Sequence, residues 1–171
     1  MEINDKTKNW IAIYTKSRHE KTVAKKLEMK NFEVYLPLLR ERRKWSDRKK
    51  WIEYPLFKSY LFIRTQLKNS MFILKTPGII RIVKFGDKIA IVNDNHINAI
   101  KLMISGGYKP KSTDYFIKGD PVQVIDGPLK GIEGEVIRVD DRDRLLIRIN
   151  SIKHSVSIKI NRAFLSRIKK H

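Results

Sequence analysis

The sequence predicts an α+β protein in which an N-terminal antiparallel sheet flanked by helices is joined by a linker to a small C-terminal β-barrel. Strand-like and helix-like segments follow each other in the order β-α-β-β-β-β-α up to residue 104, which is typical of helices packed on an antiparallel sheet. The segment SGGYKPKSTD at 105–114 has the composition of a linker. Short apolar runs separated by turn signals follow it, as in small barrels. We therefore expect domains at 8–104 and 116–171, with the linker over 105–115.

The first domain is expected to begin with a buried strand and a basic helix. WIAIYTK at 10–16 is an apolar and aromatic run that favours a strand. SRHEKTVAKKLEMK at 17–30 places Val23 and Leu27 on one helical face and lysines on the other. Ser17 and Glu20 have the spacing of a capping box, which predicts that the helix is capped by Ser17.

Further strands and a second helix complete the first domain. Apolar and aromatic runs predict strands within 32–39, 52–64, 76–86 and 87–92. The region 52–64 is interrupted near Pro55 and at Lys58–Ser59, and a Gly-Asp turn at 86–87 predicts a short hairpin. A helix is expected over 94–104, capped by Asp94 or Asn95.

The stretch DGPLKGIEGEV at 126–136 suggests either a phosphate-binding loop or a set of turns in the second domain. A Walker-type loop needs Gly-Lys, then Ser or Thr, and then a helix. Here Lys130 precedes Gly131 and a strand pattern follows. We therefore interpret the glycines structurally: Gly131 permits a tight bend, and Gly134 lets two backbones approach closely.

The charge of the chain is its most unusual property. The sequence has 37 basic and 18 acidic residues, a net charge of +19 and a pI near 10.2. This balance predicts a polyanionic partner, most simply nucleic acid. The lack of cysteine excludes disulfides and thiolate metal sites. No stretch approaches the roughly 18 apolar residues of a membrane span, and the N-terminus lacks a signal-peptide core, so we expect a cytoplasmic protein without a membrane partner.

Catalysis is not expected. The four histidines are scattered and have no metal-ligand spacing. Asp140, Asp141 and Asp143 form an acidic cluster of the kind that metal-dependent nucleases use, but the intervening arginines favour a solvated turn. We therefore predict a protein that is not an enzyme and that binds no cofactor or metal.

The segment from Phe116 to Val136, FIKGDPVQVIDGPLKGIEGEV, resembles the KOW motif in its length and glycine placement. KOW domains are SH3-like barrels that occur in some ribosomal proteins and in the NusG family of transcription elongation factors. By itself the motif leaves both alternatives open, a transcription factor or a ribosomal or RNA-binding structural protein.

Three stretches of the first domain favour the NusG family. WIAIYTKSRHE at 10–20, PLFKSYLFI at 55–63 and KTPGIIRIVKFG at 75–86 resemble segments of NusG N-terminal domains and occur in the family's order. The resemblance covers residues 9–168. It departs from the family at Lys58–Ser59, where many relatives have Pro-Gly.

The resemblance implies a transcription elongation and antitermination factor that binds RNA polymerase and suppresses pausing or termination. The high charge and the basic stretch RERRKWSDRKKW at 40–51 are most similar to the specialised NusG paralogs, RfaH and the UpxY-type antiterminators of polysaccharide operons. Operon-specific action is therefore expected.

The strand region 52–64 contains more large apolar side chains than a single buried face requires. If the strand buries both of its alternating faces, most of these side chains belong to the core. If some of them are exposed, they form an apolar patch that docks a partner. By resemblance, the patch binds the clamp of RNA polymerase, and a polar motif before the Thr-Pro-Gly turn contacts the opposite side of the cleft. The candidate polymerase-binding residues are Tyr54, Leu56, Phe57, Tyr60 and Phe62 from the patch, and Asn69 and Ser70 from the polar motif.

A second group of candidates is cationic. Residues 40–51 have no apolar period, which predicts either a solvated loop or an arm whose cations neutralise phosphates while tryptophans stack on bases. The basic face of the first helix extends this field. By resemblance, nearby residues meet the non-template DNA, although nascent RNA stays open as the partner. The candidates are Lys16, Arg18, His19, Lys26, Arg40, Arg42, Arg43, Lys44, Trp45, Arg48, Lys49, Lys50, Thr76 and Lys84.

The KOW domain would recruit a further protein. In relatives it binds a ribosomal protein or the termination factor Rho. The candidate contact residues are Phe116, Ile132, Val156 and Ile158.

Overall fold

An antiparallel sheet centred on strand β1 (Asn9–Thr15) organises the first part of the chain. The computed structural model describes residues 7–44, 49–113, 119–139 and 142–168, with the exception of the side chains of Arg43, Ser112 and Thr113. The chain divides into two units, with the boundary between Val92 and Asn93. Several predicted site residues lie outside the described residues, namely Trp45, Arg48, Phe116, Asp140 and Asp141.

The described residues of the first unit form two α-helices and, besides β1, the strands of its sheet and of two hairpins. The helices are α1 (Glu20–Glu28) and α2 (Ser70–Leu74). The other strands are β2 (Glu33–Tyr35), β3 (Leu38–Lys44), β4 (Lys49–Pro55), β5 (Tyr60–Thr65), β6 (Ile79–Ile82), β7 (Lys84–Phe85), β8 (Lys88–Ile89) and β9 (Ile91–Val92). The main sheet has the order β2-β5-β1-β6, and β9 also pairs with β1.

The core of the first unit lies on one face of this sheet. Alternate residues of β1 and β5, Ile11, Ile13, Leu61 and Ile63, are fully buried against the helices. From the helices they meet an apolar cluster that includes Val23, Ala24, Leu27 and Ile73. The period of two along the strands and the helical spacing of α1 thus place their apolar residues in one core.

Glu20 connects α1 to the turn before β5, and this corrects the predicted capping box. His19, not Ser17, occupies the N-cap position, and its side chain makes no capping bond. The Oε1 atom of Glu20 instead accepts a hydrogen bond from the backbone N–H of Ser59 at 2.7 Å. Ser59 has φ +64°, a left-handed conformation that favours glycine. Glu20 therefore supports the turn at the position where many relatives have Pro-Gly.

Strands β3 and β4 form a separate two-stranded hairpin, which the sequence did not predict as regular structure. Their register runs from the pair Leu38 and Pro55 to the pair Lys44 and Lys49. Most of the hairpin is not packed into a core, and so its residues show no apolar period. Cross-strand backbone pairing, which leaves no mark in side-chain hydropathy, defines the element. The predicted hairpin around the Gly-Asp turn is confirmed by the pairing of β7 and β8.

The second unit consists of a helix and a six-stranded antiparallel sheet. Its elements are α3 (Asp94–Ser105), β10 (Lys111–Thr113), β11 (Asp120–Val124), β12 (Glu133–Val139), β13 (Arg142–Ile149), β14 (His154–Lys159) and β15 (Leu165–Arg167). The strand order is β10-β14-β13-β12-β11-β15. Its interior is lined by alternate strand residues, among them Val122, Leu145, Val156 and Ile158.

Two elements flank or lie within the expected linker. Helix α3 groups with the second unit, whereas the sequence placed it in the first domain. Within the expected linker, Lys111–Thr113 pair with β14 because a polar segment still offers backbone groups to a strand edge. The helix is capped by Asn93, whose side chain accepts a hydrogen bond from the N–H of Asn95, rather than by Asp94 or Asn95.

The glycines of 126–136 have the predicted structural roles. Gly131 lies in a turn and has φ +87°, a backbone conformation that residues other than glycine rarely adopt. A Cβ atom added to Gly134 would lie 2.5 Å from the carbonyl oxygen of Leu146 on the neighbouring strand. Within the parts of the chain that the structure describes, no helix has the length and apolar character needed to cross a bilayer.

Candidate functional site

The second face of the main sheet carries the aromatic residues. The cross-strand pairs are Trp10 with Arg64, Ala12 with Phe62 and Tyr14 with Tyr60, so these side chains share one face. The rings of Tyr14 and Tyr60 lie 5.1 Å apart, and the guanidinium of Arg81 lies 5.2 Å from the ring of Tyr14. Trp10 and Phe62 are buried on this face, whereas Tyr14 and Tyr60 are partly exposed and Arg81 is exposed beside them.

Much of the predicted polymerase-binding patch is not exposed. Phe57 and Phe62 are 1% and 0% exposed, their rings pack perpendicular to each other at 6.0 Å, and Leu56 is also buried. The prediction that these three side chains form an exposed patch is therefore wrong, because they fill the interior beside the sheet. Tyr54 and Tyr60 are partly exposed. Burial raises the pKa of Tyr60, Arg81 opposes this rise and Tyr14 adds to it, so Tyr60 is a neutral phenol at pH 7.

Asn69 and Ser70 lie at the start of α2, beside a groove that the sequence did not predict. Asn69 donates a hydrogen bond from Nδ2 to the hydroxyl of Thr65 at 3.1 Å. Ser70 lines the groove, which has a volume of about 590 Å³ and lies between α2, β6 and the β7–β8 hairpin. Its apolar lining includes the exposed side chains of Met71 and Ile80. A signal for this groove was present in the sequence, because Met71 follows Ser70 and Ile80 precedes Arg81, so each large apolar residue has a polar neighbour.

The segment between β1 and α1 presents several of the predicted cations. Lys16, Arg18 and His19 are exposed there, Lys26 is partly buried on α1, and Lys84 is exposed on β7. Arg18 lines a second groove, of about 540 Å³, together with Lys21, Glu53, Tyr54 and Lys58. Lys21 belongs to the basic helix face that the sequence predicted, whereas Lys58 is a cation of this region that the sequence did not single out.

Thr76 does not belong to the exposed basic surface. It is 1% exposed, and its hydroxyl accepts a hydrogen bond from the Nζ atom of Lys30 at 2.8 Å. The same ammonium group lies 4.7 Å from the centroid of the Phe72 ring. Direct contact of the Thr76 side chain with nucleic acid is therefore contradicted, because Lys30 covers it.

The hairpin of β3 and β4 holds the densest group of predicted cations. Arg40, Arg42, Lys44, Lys49 and Lys50 are all exposed along it. The guanidinium of Arg40 lies 5.0 Å from the ring of Trp51. At the base of the hairpin, Lys21 of α1 lies 3.7 Å from the carboxylate of Glu53 and donates a hydrogen bond to its backbone oxygen. The hairpin is thus joined to the basic helix face.

In the second unit, two of the predicted contact residues are buried. Val156 and Ile158 point into the interior of the six-stranded sheet, so their side chains are not a binding surface. Ile132 is partly exposed and lines a groove with Lys130, Glu133 and residues of α3. Of the acidic cluster, Asp143 lies 3.9 Å from Arg162. Among the described residues, no group of three metal-ligating side chains comes together.

Comparison with known proteins decides the family. The family model described as "Transcription termination factor nusG" matches residues 8–101, more than half of the chain. The chain belongs to the NusG family. The matched region crosses the boundary between the two units at Val92 and ends within α3. The resemblance seen in the three N-terminal stretches is thereby confirmed.

Two relatives agree with this assignment. The chain is 24% identical over 167 residues to the "Transcription termination/antitermination protein NusG" of Pseudomonas aeruginosa, covering 90% of this chain and 94% of the relative. It also resembles a solved structure described as "Domain interaction in Thermotoga maritima NusG", with a TM-score of 0.58 and 19% identity, covering 97% of this chain and 100% of the other. The mixed α/β architecture with antiparallel sheets is therefore a NusG-like fold. The chain is a transcription termination/antitermination factor of this family.

Proposed function

We propose that this NusG-family protein is an elongation and antitermination factor that binds RNA polymerase through its first unit and reduces pausing or termination. The observation that carries the proposal is the match to a full-length NusG over 94% of its length. Binding that favours the elongating conformation of the polymerase shifts the population away from paused states. The protein then acts by binding, in the cytoplasm, without catalysis, cofactor or metal.

The proposed polymerase contact is smaller than the sequence predicted. Tyr60 and Tyr54 are its candidates because both are partly exposed. Tyr14 and Arg81 adjoin Tyr60 and extend the surface. Aromatic side chains and arginine are the residues that most often dominate protein interfaces. Asn69 and Ser70, at the start of α2, are proposed to contact the opposite side of the polymerase cleft.

The charge supports a specialised role. The first unit has 22 basic against 9 acidic residues up to Val92, a net charge of +13. Cations on the β3–β4 hairpin and on the segment before α1 are proposed to hold nucleic acid near the polymerase, and so to restrict action to particular operons, such as those for polysaccharides.

We further propose that the second unit is a KOW domain that recruits a ribosomal protein or Rho through the surface around Ile132.

A read-through assay with purified polymerase tests the proposal. We expect the wild-type protein to raise transcription through a terminator and Tyr60→Ala to lose most of this effect. Tyr108→Ala is the matched control, since Tyr108 is a partly exposed tyrosine of the second unit. Circular dichroism of each variant checks folding.

Three outcomes would contradict the proposal. A fall in read-through would indicate a termination factor. Equal losses in Tyr60→Ala and Tyr108→Ala would remove the proposed contact. Stable association with ribosomes in a sedimentation assay, without polymerase binding, would favour a ribosomal or RNA-binding structural protein instead.

A further inference from the structure

The hairpin of β3 and β4, here called the ribbon, has two faces of different character. Residues directly opposite each other in an antiparallel pair point to the same side, and successive residues alternate. The register therefore assigns the front face the side chains of Arg40, Arg42, Lys44, Lys49, Trp51 and Glu53. The back face has those of Leu39, Glu41, Lys50, Ile52 and Tyr54, among the side chains that the structure describes.

The positive charge is concentrated on the front face. It has four cations and one carboxylate, and that carboxylate, Glu53, lies 3.7 Å from the ammonium group of Lys21. The back-face positions hold two cations, Lys50 and its register partner Arg43, and one carboxylate, Glu41, so their net charge is +1 against +3 for the front-face positions. A polyanion is therefore attracted more strongly to the front face than to the back face.

The general dimensions of a two-stranded ribbon are compatible with duplex DNA. Alternate residues of a strand repeat at about 6.7 Å, which is about two 3.4 Å base steps along one DNA strand. A two-stranded ribbon fits the major groove of B-form DNA, which is about 12 Å wide. The major groove of an RNA duplex is deep and narrow and does not admit such an element.

Single-stranded nucleic acid is a poorer match for this face. Proteins that bind single strands offer successive exposed aromatic rings on which bases stack. The described part of the front face has one ring, that of Trp51, and the guanidinium of Arg40 lies 5.0 Å from its centroid. A base that stacked on this ring would compete with the arginine.

We propose that the front face of the ribbon binds duplex DNA in the major groove, with Arg42, Lys44 and Lys49 contacting phosphates. The proposal deepens the proposed function, on which it rests only for placing the protein next to transcribed DNA. The family resemblance implies that the segment before α1 meets single-stranded non-template DNA, whereas the ribbon is proposed to bind a DNA duplex.

Two neighbouring lysines provide the test. Lys49 and Lys50 are adjacent in β4, both exposed and equal in charge, but they lie on opposite faces of the ribbon. The proposal therefore keeps Lys49 as a contact and excludes Lys50, which the sequence also predicted to bind nucleic acid. Fluorescence anisotropy of the full chain would compare a 20-base-pair DNA duplex, its single strand and an RNA duplex of the same sequence. We expect the DNA duplex to bind most tightly. Lys49→Ala should weaken its binding about fivefold and reduce the salt slope by about 1, whereas Lys50→Ala should change affinity less than about twofold.

The proposal is overturned if Lys49→Ala and Lys50→Ala weaken duplex binding equally, or if the single strand or the RNA duplex binds more tightly than the DNA duplex. Polymerase pull-down with the same variants separates this question from the proposed function. Duplex binding that depends on Lys49, in a protein that does not bind polymerase, would contradict the proposed function and leave the ribbon proposal intact. Polymerase binding with no preference for duplex DNA would overturn the ribbon proposal and leave the proposed function intact.

Discussion

Glu20 is a carboxylate with 6% of its surface exposed, at the first position of α1. Its Oε1 atom accepts a hydrogen bond from the N–H of Ser59 and so satisfies a partly buried donor in the turn before β5. The negative charge also lies at the helix N-terminus, where the helix dipole stabilises it. One side chain thus stabilises both a helix start and a left-handed serine.

Replacing Glu20 by alanine should destabilise the protein. The variant leaves the Ser59 N–H without its acceptor, and an unpaired donor of this kind costs about 1–3 kcal/mol. Urea unfolding followed by circular dichroism measures the change. Glu28→Ala, at an exposed position of the same helix, is the control and should alter the free energy of unfolding by less than about 0.5 kcal/mol. Equal effects of the two substitutions would show that the Ser59 contact contributes nothing.

At the scale of elements, strands β12 and β13 approach each other closely at Gly134. The carbonyl oxygen of Leu146 and the side chains of Leu145 and Ile147 surround the position that a Cβ atom would occupy. The glycine is therefore part of how the two strands pair.

Gly134→Ala should separate the two strands and lower the free energy of unfolding by about 1–3 kcal/mol, which is typical of overpacking. Thermal unfolding would detect this as a lower Tm. Glu133→Ala, at the exposed neighbouring position, serves for comparison and should have little effect. An unchanged Tm for Gly134→Ala would mean that the sheet accommodates the methyl group.

Helix α3 carries a titratable residue that links its packing to pH. Burial lowers the pKa of His96 below its ordinary value of 6.5. The folded state therefore holds its proton less tightly than the unfolded state, so stability falls as the pH drops below about 6.5. His96 lines a groove with Lys130 and Glu133.

Exchanging His96 for asparagine should remove this part of the pH dependence. Guanidinium unfolding at about pH 7.5 and about pH 5.5 gives the loss of stability for each protein. We expect a smaller loss in His96→Asn than in the wild type, since the variant has no proton to take up at this position. A loss as large as that of the wild type would assign the pH dependence to other groups.

For the whole molecule, net charge is the dominant electrostatic property. The +19 charge is divided unevenly, with +13 up to Val92 and +6 after it. A long-range field of this sign attracts any polyanion, and the local arrangement of cations then decides which one binds. Affinity and selectivity thus have different structural origins in this protein.

Nucleic-acid binding by the full chain should depend steeply on salt. If four phosphates are neutralised, raising NaCl from about 50 to about 200 mM weakens binding about a hundredfold through lost counterion release. Anisotropy titrations at several salt concentrations give the slope, with circular dichroism to show that the fold is unchanged. A change of less than about fivefold would mean that few phosphates are contacted.

Properties that depend on local pattern were determined by the sequence itself. The charge, the strand of 10–16, the breaks at Pro55 and Lys58–Ser59, the turn role of Gly131 and the family all followed from residue type and spacing. The strand, the breaks and the turn reflect constraints that act within a few residues, such as the fixed φ of proline or the freedom of glycine. The charge and the family are properties of composition and of motif order along the chain.

Only the tertiary structure decided which side chains are available. Phe57, Phe62, Val156 and Ile158 have the composition of a binding surface, yet they are buried, and Thr76 is covered by Lys30. The Glu20–Ser59 contact escaped the sequence because it joins segments that are 39 residues apart. The ribbon escaped it because backbone pairing leaves no mark in the hydropathy of exposed residues. Burial and pairing are set by what packs opposite a residue, and one strand's own sequence does not contain that information.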